Sequence, residues 1–372
     1  MEKINIYFGS DSRFEEAIKE VTSYKLLSDV TAHLNKTQIA IDGVKGEGEQ
    51  PLAIENLIIN TDDYGGIKEW AMLSFSSSIL KDFRLDIKNV WMNNPPKKIY
   101  EDVKKHFPEQ TADHSEDRKT VDLEVIKNVA AHFEERIIGQ DAVKNKMLTS
   151  LYALLNPNRR RPVAILFLGE SGVGKTETAK FINSYMDGEM VRVQFSMQQT
   201  AEAYKYIFGA DHGEDSLARE LIRRESNVVL LDEFDKVHSS MYNAFYQMFD
   251  EGIFVDNNYE VDVRGCVIIC TSNFKTEQEA EKILGSPIYS RFTKVITFNP
   301  ISIENKIKIA EMNYRTLFAE LSEEDQQLIE NNNVLSFYIS HIKKGLYSNM
   351  RMLRNDIEEA LNYEILKSRG II

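Results

Sequence analysis

The sequence lacks the features that mark secreted and membrane proteins. It holds only two cysteines, Cys266 and Cys270, which are too few for a disulfide framework. No apolar run approaches the roughly 20 residues that a membrane helix needs. Met1–Ser10 has no basic start followed by a long apolar stretch, as a secretion signal would have. These absences predict a protein without a membrane segment in the reducing cytoplasm.

Basic charge is also scarce, since 58 acidic residues outnumber 45 basic ones and give a formal net charge of −13. Non-specific nucleic-acid binding needs a basic face, so this balance disfavours a nucleic-acid partner. We interpret the short basic run Arg159–Arg161 as a solvated loop. The seven histidines show no H-E-x-x-H spacing. The two cysteines lack a second pair of metal ligands, so we expect them to pack in a core.

The chain is too long for one compact core, and its 372 residues predict two or three domains. Residues 1–107 alternate short apolar runs, such as Ile4–Phe8 and Leu57–Ile59, with glycine-rich turn signals. This pattern predicts a mixed, strand-rich α+β domain. Residues 108–120 have no apolar periodicity and are predicted to be a linker. The sequence shows no internal repeat.

After the linker the pattern changes. Apolar, strand-like runs alternate with helical segments through residues 121–300, which predicts a parallel sheet flanked by helices. Residues 301–372 show only helical periodicity and are predicted to form a helical lid. The strand-like runs are Val163–Leu168, Val191–Phe195, Val228–Leu231, Val267–Cys270 and Val295–Phe298.

A glycine-rich segment lies between the first of these runs and the helical stretch Glu177–Tyr185. Residues 169–176 have the sequence G-E-S-G-V-G-K-T, which matches the Walker A pattern G-x-x-x-x-G-K-[ST]. Its backbone N–H groups and the following helix N-terminus suit a phosphate. Lys175 is predicted to neutralise the β- and γ-phosphates of ATP, and Thr176 to bind Mg²⁺. The predicted nucleotide-binding residues of this segment are Gly169, Glu170, Ser171, Gly172, Val173, Gly174, Lys175, Thr176 and Glu177.

Two acids follow the apolar strand Val228–Leu231, as in a Walker B motif. Adjacent carboxylates at the end of such a strand are costly without a cation, so Asp232 is predicted to bind Mg²⁺ and Glu233 to polarise the attacking water. The alternative is a solvated acidic turn. Asn273 follows the next strand, where its amide can hold the same water or contact the γ-phosphate. An ordinary turn residue is the alternative for Asn273.

These motifs occur in an order that resembles the ATPase module of the Clp unfoldases, within the AAA+ class. The resemblance extends from Ile137 to Leu366 and is specifically to the second of the two modules of heat-shock disaggregases. Besides the Walker motifs, three segments carry it. Ile138–Val143 is similar to the adenine-contacting motif, and Tyr289–Phe292 is similar to the segment with the arginine finger. Asn349–Arg354 is similar to the segment with the sensor arginine of the lid.

The resemblance implies a three-layer P-loop AAA+ core that hydrolyses ATP with Mg²⁺ in a ring, most often of six subunits. It implies that Ile138 contacts the adenine and that Arg291 reaches the γ-phosphate of a neighbouring subunit. Arg351 would sense the nucleotide within its own subunit. A surface salt bridge is the alternative for each arginine. The resemblance does not cover residues 1–120. Residues 1–107 are predicted to bind a protein partner or substrate.

The sequence departs from the Clp pattern where relatives carry a pore loop with an aromatic residue between glycines. Here Asp211–Ser216 is short, acidic and without an aromatic, although a displaced Tyr204 or Tyr206 could serve instead. No [LIV]-G-[FL] tripeptide lies between Asn273 and Tyr289, which disfavours a peptidase partner.

Two functions follow as hypotheses. The first is ATP-driven remodelling of a bound protein, as in a chaperone. The alternative is a nucleotide-controlled assembly switch or scaffold, whose N-terminal domain recruits a partner or effector without processive threading.

Overall fold

The computed structural model describes residues 1–41, 51–197 and 201–372. In these residues, two five-stranded sheets are followed by a group of C-terminal helices. We call residues 1–115 the N-terminal domain, residues 121–300 the core domain and residues 301–372 the lid.

The N-terminal domain contains a sheet in the order β2-β3-β4-β1-β5, and every neighbouring pair of its strands is parallel. Its apolar core includes residues of the central strands, such as Ile4, Ile59 and Val90. The strands are β1 Lys3–Phe8, β2 Tyr24–Leu26, β3 Leu52–Ile59, β4 Leu85–Asn93 and β5 Thr111–Ser115. The helices are α1 Asp11–Ile18, α2 Leu27–Ile41, α3 Glu69–Met72 and α4 Lys97–His106.

This arrangement corrects the sequence-based prediction for the N-terminal region. A wholly parallel sheet connected by helices is an α/β domain, and not the mixed α+β domain expected for residues 1–107. The predicted linker at 108–120 also contains β5, which pairs along β1 from Ile4 to Phe8. The sequence of β5 is polar and therefore does not predict a strand. A half-exposed strand at the edge of a sheet needs no apolar run.

The core domain contains the second sheet, in the order β12-β6-β11-β8-β7 and again wholly parallel. A short antiparallel hairpin, β9 with β10, lies outside it. The strands are β6 Val163–Leu168, β7 Val191–Gln194, β8 Val228–Asp232, β9 Ile253–Val255, β10 Glu260–Asp262, β11 Val267–Thr271 and β12 Lys294–Thr297. The helices are α5 Leu123–Arg136, α6 Asp141–Tyr152, α7 Lys175–Asn183, α8 Ala201–Phe208, α9 Leu217–Ile222, α10 Asn243–Asp250, α11 Glu277–Leu284 and α12 Ser286–Tyr289.

The second sheet is the middle layer of three, as the sequence predicts. Successive residues of its central strands enter two different apolar clusters, because side chains alternate between the faces of a strand. In β6, Ala164 and Leu166 face one cluster while Ile165 and Phe167 face the other. Burial on both faces explains the continuous apolar runs. Cys266 and Cys270 are buried and unpaired, which confirms their expected packing role.

The lid is helical, as predicted. Its helices pack around their own apolar cluster, which includes Leu353 and Ile357. Side-chain caps define several helix starts, with Ser302 at the first and Asn349 at the last. Within the described residues, none of the helices is sufficiently long and apolar to span a bilayer. The helices are α13 Ile303–Glu320, α14 Glu323–Leu328, α15 Val334–Lys343 and α16 Met350–Ser368.

The two sheets share one topology. Numbering the five strands of each sheet along the chain, both have the order 5-1-4-3-2 from one edge to the other. The sequence shows no repeat, yet the chain builds the same parallel sheet twice.

Candidate functional site

Three glycines shape the turn between β6 and α7. Gly169, Gly172 and Gly174 have φ angles of 132°, 83° and 107°, in the region that side chains rarely adopt. A Cβ on Gly169 would lie 2.8 Å from the carbonyl oxygen of Phe298, and one on Gly172 would lie 2.6 Å from Asn349 Oδ1. The turn is therefore fixed against both the sheet and the lid.

Lys175 is the first residue of α7, and its side chain lies inside this turn. The residue is only 8% exposed, and Nζ donates to the carbonyl oxygens of Gly169 and Glu170, the latter at 2.8 Å. Burial lowers the pKa of Lys175 to about 8, and the nearby Asp235, Asp232 and Glu233 only partly oppose this shift. The amine thus needs an anion to stabilise its charged form.

We expect ATP affinity to fall as the pH rises from 7 to 9. If only the charged amine binds phosphate, a pKa of about 8 makes the loss about tenfold over this range. Equilibrium titration with a fluorescent ATP analogue measures it. Lys175→Arg is the matched control, because arginine stays charged throughout and should bind with little pH dependence. Equal pH dependence in both proteins would contradict the assignment.

Asp232, at the end of β8, is buried and has two partners on neighbouring strands. Thr271 Oγ1 donates to its Oδ1 at 2.6 Å, and Arg192 Nη2 lies 2.7 Å from its Oδ2. Sequence reasoning missed Arg192. It lies within a predicted strand, but its proximity to Asp232 depends on β7 pairing with β8.

Glu233 has an unusual backbone conformation for a residue with a side chain. Its φ is 58° and its ψ is 45°, in the left-handed region, so the chain turns sharply after β8. Its N–H donates to Thr271 Oγ1 at 2.9 Å. Thr271 therefore holds both acids at once. Backbone strain of this kind is common at functional sites, because the surroundings must enforce it.

A cavity of about 620 Å³ lies between the core domain and the lid. Most of the predicted site residues line it, together with Arg192, Thr271 and Arg354. Gly169 and Glu170 do not line the cavity, but their carbonyl oxygens accept hydrogen bonds from Lys175. The predicted residues that line the cavity are Ile138, Ser171, Gly172, Val173, Gly174, Lys175, Thr176, Glu177, Asp232, Glu233, Asn273 and Arg351.

The segment before α6 is tied to the glycine-rich turn through Gln140. Its buried amide donates to the carbonyl oxygens of Val173, at 3.2 Å, and Asn299, at 2.8 Å. This fixes Ile138 at the cavity wall. On the lid side, Arg351 is in the first turn of α16, where its N–H donates to Asn349 Oδ1. Its side chain can therefore follow any movement of the lid.

Arg291 does not line this cavity. It follows α12, pairs with Asp250 at 2.7 Å, and lies 4.2 Å from the ring centre of Tyr246. The structure thus places twelve of the predicted site residues in the lining of one cavity, with Gly169 and Glu170 next to it, and holds Arg291 on a separate surface of the chain.

Comparison with known proteins agrees with this geometry. Residues 160–324 match the family model described as AAA domain (Cdc48 subfamily). Chaperone protein ClpB of Blochmanniella floridana is 27% identical over 277 residues, covering 64% of this chain and 32% of that protein. Chaperone protein ClpB of Vibrio cholerae is 30% identical over 268 residues, covering 63% and 31% respectively. AAA+ ATPase ClpV1 of Pseudomonas aeruginosa is 34% identical over 174 residues, covering 43% and 19%.

The chain thus spans about a third or less of the length of these relatives. Within that span, three observations indicate the same kind of domain. They are the order of the motifs, the cavity at the carboxyl ends of the parallel strands, and the matches to known proteins. Residues 160–324 are thus similar to an AAA domain, and the module formed by the core domain and lid resembles the corresponding part of proteins named as Clp chaperones.

Proposed function

We propose that this module hydrolyses ATP to ADP and phosphate. The observation that supports it most is the convergence of Lys175, Asp232 and Glu233 on one cavity, beside a glycine turn that can wrap a phosphate. Lys175 would bind the β- and γ-phosphates. Glu233 would accept a proton from the attacking water, with its backbone held by Thr271.

The residues present also fit magnesium. Thr176 and Asp232 would hold the ion through a hydroxyl and a carboxylate oxygen, which are hard ligands of the kind Mg²⁺ takes alongside phosphate. The ion would neutralise charge on the phosphates. Arg192 now pairs with Asp232, so it would move or share this carboxylate when the site is loaded.

We further propose that the active assembly is a ring, with six subunits as the expected number. Arg291 would complete the site of a neighbouring subunit, because it lies away from the cavity of its own chain. Asn273 would contact the γ-phosphate or its water, and Arg351 would sense the nucleotide from the lid.

The work obtained from ATP would remodel a protein bound through residues 1–107. Support comes from the similarity to proteins named as chaperones. The net charge of −13 disfavours a nucleic-acid partner, and the lack of an [LIV]-G-[FL] tripeptide between Asn273 and Tyr289 disfavours a peptidase partner.

The alternative is a nucleotide-controlled switch that does not thread its partner, and one observation favours it. His212, in the loop at the expected pore position, donates through Nε2 to the carbonyl oxygen of Ile67 in the N-terminal domain, at 2.6 Å. The loop is thus engaged within its own chain. Of the two displaced tyrosines, Tyr206 is buried, whereas Tyr204 is 54% exposed and remains available to grip a substrate.

The two functions are separated by offering the chain a stably folded fluorescent protein with an unstructured tail, together with ATP. Remodelling by threading predicts loss of fluorescence, and Tyr204→Ala should reduce its rate at least tenfold, because a large aromatic provides most of the grip. Tyr363→Ala, which removes an equally exposed tyrosine from the lid, is the matched control.

Stable fluorescence despite ATP turnover would exclude threading and support the switch. Loss of fluorescence that persists in Tyr204→Ala would place the grip elsewhere. The ATPase rate measured with unfolded protein, nucleic acid or neither identifies the class of partner.

A further inference from the structure

The N-terminal sheet matches the core sheet in register as well as in strand order. Tyr7 pairs with Asn93 at the ends of β1 and β4, as Phe167 pairs with Thr271 at the ends of β6 and β11. The backbone hydrogen bonds just beyond these pairs are also matched. In the N-terminal sheet, Asn94 N–H donates to the Tyr7 carbonyl (2.8 Å), and in the core sheet Ser272 N–H donates to the Phe167 carbonyl (2.9 Å). In the same way, Glu116 N–H donates to the Phe8 carbonyl (3.0 Å), and Phe298 N–H donates to the Leu168 carbonyl (2.9 Å).

This register aligns the catalytic acids with neutral residues. Ile59 pairs with Met92, the residue before Asn93, and Leu231 pairs with Cys270, the residue before Thr271. Ile59 therefore corresponds to Leu231, and the two residues that follow Ile59 correspond to the two that follow Leu231. Asn60 and Thr61 occupy the positions of Asp232 and Glu233.

The phosphate turn is also lost. Gly9 matches Gly169, but only Gly9 and Ser10 precede α1, whereas residues 169–174 precede α7. The helix then begins with Asp11 in place of Lys175. An acid at that position would repel a phosphate, and the shortened turn has too few N–H groups to surround one.

A carboxylate of the chain itself fills the remaining space. Glu116 accepts from the Ser10 N–H at 2.7 Å and from the Ser10 hydroxyl at 3.1 Å, and Arg118 pairs with it at 2.9 Å. A Cβ on Gly9 would lie only 2.7 Å from this carboxylate. An internal anion therefore occupies the place of a nucleotide phosphate.

This closed edge of the N-terminal sheet, formed by residues 9–11, 60–62 and 93–94, contacts α9 of the core domain. Arg219 is only 4% exposed and pairs with the Asp62 carboxylate, while its Nη2 also donates to the Thr61 carbonyl oxygen at 3.3 Å. Arg223 pairs with Asp11, and with Asp62 at 3.1 Å. Arg219 of α9 and Arg223, the residue directly after this helix, thus neutralise two acids of the closed edge.

The loop that precedes α9 takes part in the same contact. Besides the His212 bond to Ile67, Gly213 packs on Gly65 so closely that a Cβ on Gly65 would lie 3.0 Å from the Gly213 Cα. His212 and Gly213 therefore attach the acidic loop to the N-terminal domain. It forms part of an interface within the chain.

We infer that the N-terminal domain is a second fold of the ATPase type that does not bind nucleotide, and that its closed edge is the docking surface for α9 and the loop 211–216. Movement of α9 during the nucleotide cycle would pass directly to the N-terminal domain through Arg219 and Arg223.

The docking surface is tested by Asp62→Ala in the full chain, read by hydrogen–deuterium exchange. The Asp62 side chain is 70% exposed, so its removal leaves apolar packing intact while Arg219 loses its nearer carboxylate partner and keeps Asp215, at 3.8 Å. We expect exchange in residues 211–222 to accelerate roughly tenfold, since a buried charge loses its nearest counterion. Exchange in α7 should not change.

Asp62→Glu should restore slow exchange, and Asp86→Ala, an exposed acid elsewhere on the same sheet, is the matched control. Unchanged exchange in Asp62→Ala would overturn the docking assignment.

The loss of nucleotide binding is tested by the stoichiometry of ATP binding to the same chain. We expect one ATP per chain in Glu233→Gln and none in Lys175→Ala. A second ATP, or one retained in Lys175→Ala, would overturn the inference. Binding of no ATP to any variant would instead refute the proposed ATPase function while still agreeing with a closed N-terminal edge.

Discussion

Replacing Glu233 with glutamine should leave ATP binding intact and lower the rate of hydrolysis about 100-fold or more. Glutamine keeps the size of the side chain but cannot accept a proton from water. The positive φ of residue 233 is kept by the β8–α10 connection, and the N–H bond to Thr271 does not involve the side chain. The loss should therefore appear in kcat and leave the ATP affinity near that of the parent.

Steady-state phosphate release and equilibrium ATP binding, measured on the same preparation, separate the two effects. Glu358→Gln, which neutralises an exposed acid on α16, is the matched control and should keep the parent rate. Lys175→Ala should instead lose ATP binding itself. Parent-like hydrolysis by Glu233→Gln would show that another group activates the water. The ATP-bound variant is also the best form in which to capture partners of the N-terminal domain.

The part of the site that sequence predicted is the part made by neighbours along the chain. Residues 169–176 form the turn and the start of α7, and three of their positions have positive φ angles that favour glycine. Asp232 and Glu233 follow directly on a buried strand. In both places the residue types, their spacing and the flanking element lie within a dozen positions, so local pattern suffices.

Arg192 and Thr271 could not be predicted in the same way. Each reaches Asp232 only because β7 and β11 lie on either side of β8, a consequence of strand order that no local pattern encodes. Arg192 also resembles any polar residue of an edge strand. The hydrogen bond of Thr271 to both acids needs the register in which β11 ends level with β8.

The N-terminal domain illustrates the same limit more strongly. Its sheet has the topology of the core sheet, but the residues that make such a fold recognisable are those of the nucleotide site. In this domain they are replaced by Asn60, Thr61 and Asp11. What remains is a set of strands with buried apolar side chains, and many sheet types share that pattern. Its contact with loop 211–216 depends on tertiary docking alone.

Replacing Arg291 with alanine should lower hydrolysis by about 10³-fold or more, because an arginine supplied by a neighbouring subunit stabilises charge in the transition state. Arg291 is now held by Asp250 and Tyr246 of its own chain. In the proposed assembly, these contacts would orient the guanidinium at the surface of each subunit. ATP binding by dilute subunits should survive the substitution, since the arginine lies outside their cavity. Arg160→Ala, at another exposed arginine, is the matched control.

Mixing Arg291→Ala with Glu233→Gln subunits tests whether the arginine acts between chains. Each variant alone is inactive, but a site with an intact glutamate next to a subunit with an intact arginine is complete. Random assembly at equal amounts makes roughly a quarter of the interfaces complete, so activity should recover to about that fraction of the parent. The specific activity of the parent should also rise steeply with protein concentration. If the mixture stays inactive and the parent keeps full specific activity as a dilute monomer, Arg291 serves its own chain and the catalytic unit is a single subunit.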